Sequence, residues 1–477
     1  MTLLGVFELF AAYVIIIARA RAYPTTMTLP TVNNATQLDA FQFAVNESHI
    51  FDIPPGIFTT FIPLPGEASM NDDKDDYVPY RSDVHDSFSW ALIKQILVST
   101  TPRRNVIATA AAAAATATVG DNLPEDAGNI VFSPFSVKLV LALLTEATGN
   151  GTRSQQQLLA TLGDIRSLEN LRNFYRKTLT TLKKEHADYT LRLETRLYTD
   201  KSVQALPSYA TLLKSAYQTP VDSLDFNDGV AAAEKINSWI ARVTEGRLKQ
   251  LVSDASVAKS VMLLVNAIYF NGKWRRQFTE THTGAFYRSA TDQLKVAYME
   301  LTDHFYYHES NELKAKIIRL PYRGQKFSMF IALPNEGQNI DSFISRMQNE
   351  QLKHMQWMTE RSKVRVVLPK FKFAYKTDLK AALCRLGVED IFTKNANLTA
   401  MASNDNLQLM VSNILQKSGI DVNEVGTVAY GATEVEIVNR FGADEEEFIV
   451  NRPFAFFIEE ESTGNILFAG KVMKPTT

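Results

Sequence analysis

Apolar side chains first settle into a helical rhythm between Val84 and Val98, where Phe88, Leu92 and Ile96 recur at four-residue spacing beside Ile93 and Leu97. Beyond Asn129, helix-like and strand-like stretches are intermixed. VKLVLALLTEA (137–147), QQQLLATLG (155–163) and NLRNFYRKTLTTLKKE (170–185) have helical spacing, the last through Leu171, Phe174, Leu179 and Leu182. VMLLVNAIYF (261–270), FSMFIALP (327–334), KVRVVLP (363–369), FIVNRPFAFFIEE (448–460) and ILFAGKV (466–472) are rich in β-branched and aromatic residues and predict strands. Strands and helices do not alternate regularly, so the fold class is α+β rather than a doubly wound parallel sheet.

Three stretches break this pattern. Residues 1–22 read as a signal peptide, with an apolar core from Leu3 to Ile17 and small-residue cleavage patterns at Ala18-Arg19-Ala20 and Ala20-Arg21-Ala22. Glu8 within the core, and the lack of a preceding Lys or Arg, leave an uncleaved anchor as the rival reading. Residues 23–83 have no sustained periodicity, are rich in Thr, Pro, Asn and Asp, and read as a low-complexity acidic extension. TPRRNVIATAAAAAATATVGDNLPEDAG (101–128) reads as an insertion in a surface loop.

Composition narrows the function. Of 477 residues, 45% are apolar and 21% charged, enough for a large buried core. Lys and Arg total 50 against 52 Asp and Glu, which excludes a general nucleic-acid binder. Outside the first residues no segment is long and apolar enough to cross a membrane, and a monomer is expected. The sole cysteine, Cys384, excludes an intramolecular disulfide, and its apolar neighbours suggest a buried small side chain. Sequons at Asn34, Asn46, Asn150 and Asn397 suit glycosylation along a secretory route.

Catalytic motifs are missing. There is no Gly-x-Ser-x-Gly elbow, phosphate-cradling glycine loop or His-Glu-x-x-His, so neither an enzyme nor a cofactor is expected. His304 and His308 are four apart, the spacing of a helical metal pair, but DHFYYHE favours a strand and structural histidines.

The informative stretch is DVNEVGTVAYGATEVEIVNRFGADEEEFIVNRP (421–453), which has no proline between Glu424 and Arg452. Thr427, Ala429, Gly431, Thr433, Val435 and Ile437 are small or apolar. The alternate set, Val428, Tyr430, Ala432, Glu434, Glu436 and Val438, holds the ring and both charges. Period-two segregation suits a strand with one face on a core, and freedom from proline suits a central one. Two readings stay open: a segment that can enter an existing sheet, or a permanent edge strand followed by an acidic turn at Asp444–Glu447.

Several motifs together resemble the serpin family, over about Val84 to Val472 apart from the insertion. They are NIVFSPFSVKLVLALLTEATGNGT, VNAIYFNGKW (265–274) with the family's characteristic tryptophan at Trp274, KTDLKAALCRLGVEDIF, and FIVNRPFAFFIEEESTGNILFAGKV. The resemblance implies a domain over 84–475 with three β-sheets, eight or nine helices and an exposed reactive loop. EVGTVAYGAT looks like the loop's hinge, with Glu424, Gly426, Thr427, Ala429, Gly431, Ala432 and Thr433 matching and Val425, Val428 and Tyr430 departing. The family's spacing from Glu424 places the reactive bond at Arg440–Phe441. Ser133, Ser136 and Asn266 match the family's sheet-opening region, where Gln416 stands in place of a histidine found in many members.

The resemblance thus implies covalent trapping of a trypsin-like serine protease that Arg440 would lure through a bidentate ion pair. The alternative is a non-inhibitory serpin with a carrier, storage or chaperone role. Asn439-Arg440-Phe441-Gly442 resembles the activation site of arthropod prophenoloxidase, which suggests a clip-domain protease of melanisation. NDDKDDYVPY (71–80) reads as a solvated acidic tail or as a dock for a basic protease exosite through Tyr77 and Tyr80. Arg172, Arg176, Lys177, Lys183 and Lys184 form one basic helix face, where some serpins bind glycosaminoglycans or other polyanions.

Overall fold

The computed structural model describes residues 86–99, 128–163, 167–402, 409–425 and 445–476, with Ser99 and Asn349 described by their backbone alone. The expected signal peptide, acidic extension, Ala/Thr insertion, Asn34, Asn46, the hinge beyond Val425 and Arg440–Phe441 lie outside these residues.

In chain order, α1 (Ser87–Ser99) precedes β1 (Ile130–Phe132), α2 (Pro134–Ala147), α3 (Arg153–Leu162) and α4 (Leu168–Leu182). Next come β2 (Tyr189–Asp200), α5 (Pro207–Tyr217), β3 (Val221–Leu224), α6 (Gly229–Val243) and the single turn α7 (Asp254–Val257). A run of strands follows: β4 (Met262–Gly272), β5 (Glu280–Ser289), β6 (Asp292–Ser310), β7 (Ala315–Pro321) and β8 (Phe327–Pro334). The chain continues through α8 (Ile340–Arg346), α9 (Asn349–Trp357), β9 (Glu360–Pro369), β10 (Phe371–Asp378) and α10 (Lys380–Arg385). It closes with β11 (Asn413–Val422), β12 (Glu446–Ile449), β13 (Phe454–Glu460) and β14 (Asn465–Val472).

Local chemistry sets many of these boundaries. Ser133, Thr152 and Ser167 cap α2, α3 and α4 with side-chain oxygens that accept backbone N–H groups, and Pro134 follows its cap in the first turn of α2. FIVNRPFAFFIEE, read as one β-rich run, divides into β12 and β13 around Pro453. His304 and His308 both lie on β6, as their neighbours suggested. The acidic Glu446–Glu447, a turn in one reading, instead opens β12.

The described strands form two ladders. One has nine strands, ordered β1-β14-β13-β8-β7-β6-β9-β12 with β5 also on β6. The long β6 pairs with both β5 and β7 as well as β9, so two smaller sheets run into each other along it. The other ladder has five strands, β10-β11-β4-β2-β3. β4 is buried along its whole length, as suits an apolar run broken only by Asn266, Asn271 and a closing Gly272. On one face Ile236, Trp239 and Ile240 of α6 pack over Val265, Ala267 and Tyr269 of β4 and Leu415 of β11. The start of α2 meets the opposite face.

Helix α1 is part of this core. The Trp90 indole donates to the Met347 carbonyl at 3.1 Å, and its ring lies 5.9 Å from that of Phe457 on β13.

Candidate functional site

One junction inside the five-stranded sheet differs from those beside it. β10 and β11 pair antiparallel, as do β4 and β2, but β11 and β4 run parallel from Asn413↔Leu263 to Ile420↔Phe270. Parallel ladders have slanted hydrogen bonds and are slightly weaker per residue. A further strand antiparallel to both neighbours could enter this seam with its backbone groups satisfied on each side.

Polar side chains cross the sheet at the middle of the seam. Thr377 of β10, Gln416 of β11, Asn266 of β4 and Thr195 of β2 occupy one transverse row of the register. Gln416 Nε2 donates to Asn266 Oδ1 at 3.1 Å and to the Ser133 carbonyl at 3.2 Å. Its Oε1 accepts from the Ser133 N–H at 2.7 Å and from the Ser418 hydroxyl at 3.2 Å. Asn266 Nδ2 donates in turn to the Thr195 hydroxyl at 2.9 Å. The Ser133 hydroxyl accepts the Ser136 N–H at 3.1 Å at the start of α2.

Ser133, Gln416 and Asn266 are almost completely buried and form no ion pair within this row, so it closes the seam through neutral hydrogen bonds. The amide of Gln416 meets α2 through donor and acceptor at once, a pairing its two-ended chemistry permits. The buried hydroxyls of Ser136 and Thr377 have no hydrogen-bond partner among the described residues, at a cost of about 1–3 kcal/mol each.

Above the seam, the chain leaving β11 is clamped. Trp274, just past β4, donates its indole N–H to the Asn423 carbonyl at 2.8 Å and its backbone N–H to the Val425 carbonyl at 3.4 Å. The Phe278 N–H reaches the Glu424 carbonyl at 3.1 Å, and Lys370 pairs with the Glu424 carboxylate at 2.7 Å. Burial is the largest single influence and opposes ionisation of Glu424, but the Lys370 hydrogen bond, a backbone N–H and the Lys370 charge together outweigh it and hold the carboxyl below its ordinary pKa. Trp274 itself is fixed by stacking on Tyr322, ring centroids 4.4 Å apart. Glu424 and Val425 form a turn, beyond which the hinge residues lie outside the description.

The chain is next described at Glu445, in the other ladder. There β12 pairs parallel with β9, Phe448 is fully buried, and Glu447 reaches Arg365 at 3.0 Å. In chain order, residues 426–444 thus connect β11 of one sheet to β12 of the other.

The remaining expected residues fall elsewhere. On α4, Arg172 makes a two-pronged contact with the buried Glu146, at 2.8 and 2.7 Å, and this hydrogen bond raises its pKa further. Lys183 pairs with Glu194 of β2 at 3.0 Å. Arg176, Lys177 and Lys184 stay exposed, so two of the five basic residues spend their charge on the protein itself. Cys384 is half-buried, and burial pushes its thiol pKa up. No cluster of metal-ligating side chains and no membrane-spanning helix occurs among the described residues.

Thr195, Thr377, Ser418 and Lys370 were not singled out by the sequence. Their roles come from strand register, which no local pattern encodes.

A family model described as "Serpin (serine protease inhibitor)" matches residues 110–475. The chain is a serpin. "Serine protease inhibitor 2" of Anopheles gambiae is 36% identical over 356 residues, covering 73% of this chain and 87% of that protein. The leukocyte elastase inhibitor of Sus scrofa is 32% identical over 364 residues, covering 74% and 95%. Among solved structures, Serpin48, a highly specific serpin of the insect Tenebrio molitor, has a TM-score of 0.67 at 28% identity, covering 82% of this chain and 97% of that one. Human thyroxine-binding globulin, solved with thyroxine bound, has a TM-score of 0.70 at 25% identity over 82% and 97%. Serpins that inhibit proteases and one that holds a small molecule are both similar to this chain, so family membership alone does not decide how it acts.

Proposed function

We propose that this serpin is a secreted inhibitor that traps a trypsin-like serine protease covalently after cleavage at Arg440–Phe441. The observation that carries the proposal is the parallel β11/β4 seam, closed by neutral hydrogen bonds, with the chain leaving β11 directly above it. Arg440 would enter the protease pocket as a bidentate partner for its carboxylate. The protease serine would add to the Arg440 carbonyl, and the Phe441 amine would leave with a proton, giving an acyl-enzyme ester.

While the segment is whole, its attachment to β12 opposes full entry into the seam. Cleavage frees one end. Returning antiparallel from a two-residue turn at Glu424–Val425 would set Thr427 opposite Val422, Ala429 opposite Ile420, Gly431 opposite Ser418 and Thr433 opposite Gln416. Directly opposed residues share a face, so the small set joins the buried side of β11 and Thr433 enters the polar row. The departures from the family pattern, Val428 and Tyr430, then fall on the other side, opposite Asp421 and Gly419. This agreement of parity favours an inhibitor over a carrier, storage or chaperone protein.

Insertion would replace one parallel junction by two antiparallel ones. At a net ~0.5–1.5 kcal/mol per hydrogen bond plus burial of the apolar face, ten or more residues release well over ~10 kcal/mol. That suffices to drag the attached protease along the sheet and spoil its oxyanion hole before water cleaves the ester. The intact fold is then a kinetically held state. The tetrapeptide around Arg440 supports a melanisation protease as target, and a polyanion would meet Arg176, Lys177 and Lys184. Incubation with trypsin should give an SDS-stable complex plus a cleaved form, and the released C-terminal peptide should begin at Phe441. Cleavage without complex would establish the non-inhibitory reading instead.

A further inference from the structure

The side of β11 turned away from α2 lacks a side chain at one position. Gly419 shares that side with Leu415, which packs beneath α6. The backbone of Gly419 has no positive φ that would call for glycine, so space decides the residue. A Cβ added there would stand 2.7 Å from Leu248 Cδ2 and 3.2 Å from Tyr269 Cδ2. Glycine inside a strand marks a close approach of this kind.

The ring that covers Gly419 comes from across the seam. Tyr269 of β4 is its partner in the parallel register. Arg247, in the loop that follows α6, donates from Nη1 to the Tyr269 hydroxyl at 3.1 Å and lies 5.4 Å above the ring. Leu248 is the next residue of that loop, and its N–H donates to the Thr244 hydroxyl at 3.1 Å. A strand entering between β11 and β4 would part them by one further strand spacing, about 4.8 Å. Tyr269 would leave with β4, and Gly419 would lose its aromatic cover.

We infer that Gly419 is the seat for the ring of Tyr430 once the cleaved segment has become a strand, so that Tyr430 stabilises the inserted state. The inference rests on the trapping reading above. The register that sets Thr433 opposite Gln416 also sets Tyr430 opposite Gly419, on the side that Tyr269 now covers. Opposed residues stand about 4.5–5.5 Å apart at Cβ, close enough for a ring to lie across a strand glycine. Bulk meets an absent side chain at this pair, and at the next pair the small Ala432 meets the long Lys417. Tyr430, which departs from the small residues of the family's hinge, thus restores the aromatic contact that Gly419 gives up. A smaller residue at 430 would leave Gly419 bare, and insertion would release less.

The test compares thermal unfolding of the full chain, intact and nicked at Arg440–Phe441. Tyr430→Ala should lower the Tm of the nicked form by about 2 °C and leave the intact form unchanged. Tyr430→Phe should keep both values. In a Gly419→Ala background, where a methyl group occupies the seat, Tyr430→Ala should cost the nicked form clearly less. A nicked Tm unmoved by Tyr430→Ala, or an equal loss in both backgrounds, overturns the inference. If Gly419→Ala does not fold, the two Tyr430 variants decide alone. Wild-type protein that gains no stability on nicking would fail the trapping reading and this inference with it; a gain that Tyr430→Ala does not reduce would sink this inference alone.

Discussion

In β8 and β13 of the nine-stranded sheet every residue is buried and the pairing is antiparallel throughout. Gly470 on β14 lies so close beneath Phe456 that an added Cβ would stand 2.4 Å from its ring. In the five-stranded sheet, β11 meets β4 in parallel and a row of amides and hydroxyls crosses the middle. The first region excludes any further strand by close packing. The second leaves a junction whose side-chain bonds are neutral, few and replaceable. Apolar interdigitation makes a sheet permanent, whereas a polar row lets its strands part without stranding charge in the core.

The widest gap between the regions should appear on deletion of a core ring. Phe456→Ala removes a fully buried side chain and should cost about 3–5 kcal/mol in intact and nicked protein alike, measured by denaturant unfolding. A nicked form spared this loss would mean that the nine-stranded sheet also rearranges. Arg440→Ala removes the proposed bait. It should slow complex formation with trypsin by at least about a hundredfold while leaving Tm unchanged. A normal inhibition rate would remove Arg440 as the bait.

Gln416→Leu attacks the row itself. It strands the Ser133 backbone and Asn266, and should destabilise the intact protein by about 1–3 kcal/mol. Loss of inhibitory activity during mild heating should accelerate, because the seam opens before any protease arrives. Equal damage to the nicked form would show that the row does not govern opening.

The smallest effect concerns Glu424. Its folded pKa is depressed, so its contribution is present above the ordinary glutamate value of about 4.3 and fades as pH falls through the folded one. The Tm difference between wild type and Glu424→Gln should therefore shrink below about pH 4.3. A difference that persists at lower pH would exclude the Lys370–Glu424 pair as its source.

Much of the fold was readable because the responsible residues are contiguous. β4 announces itself as an apolar run broken by Asn266, and helical spacing from Val137 to Ala147 announces α2. Its partner β11 was not recognised as a strand, because Gln416, Lys417, Ser418, Gly419 and Asp421 interrupt any apolar alternation. Those interruptions are what the seam requires. Ser133, Asn266 and Gln416 entered through family resemblance, and their alignment into one row arises only from the register of distant strands. The basic face of α4 shows the converse error. On a helical wheel Arg172 and Lys183 stand free, but the fold brings Glu146 and Glu194 to meet them.

The claim beneath all of this is that a cut at Arg440 lets the preceding segment become a middle strand between β11 and β4. Thermal unfolding of intact protein and of protein nicked at that bond, compared side by side, tests it most directly. Well over ~10 kcal/mol gained on insertion corresponds, for a domain of this size, to a Tm at least about 10 °C higher in the nicked form. A nicked protein that melts at or below the temperature of the intact one would contradict the account.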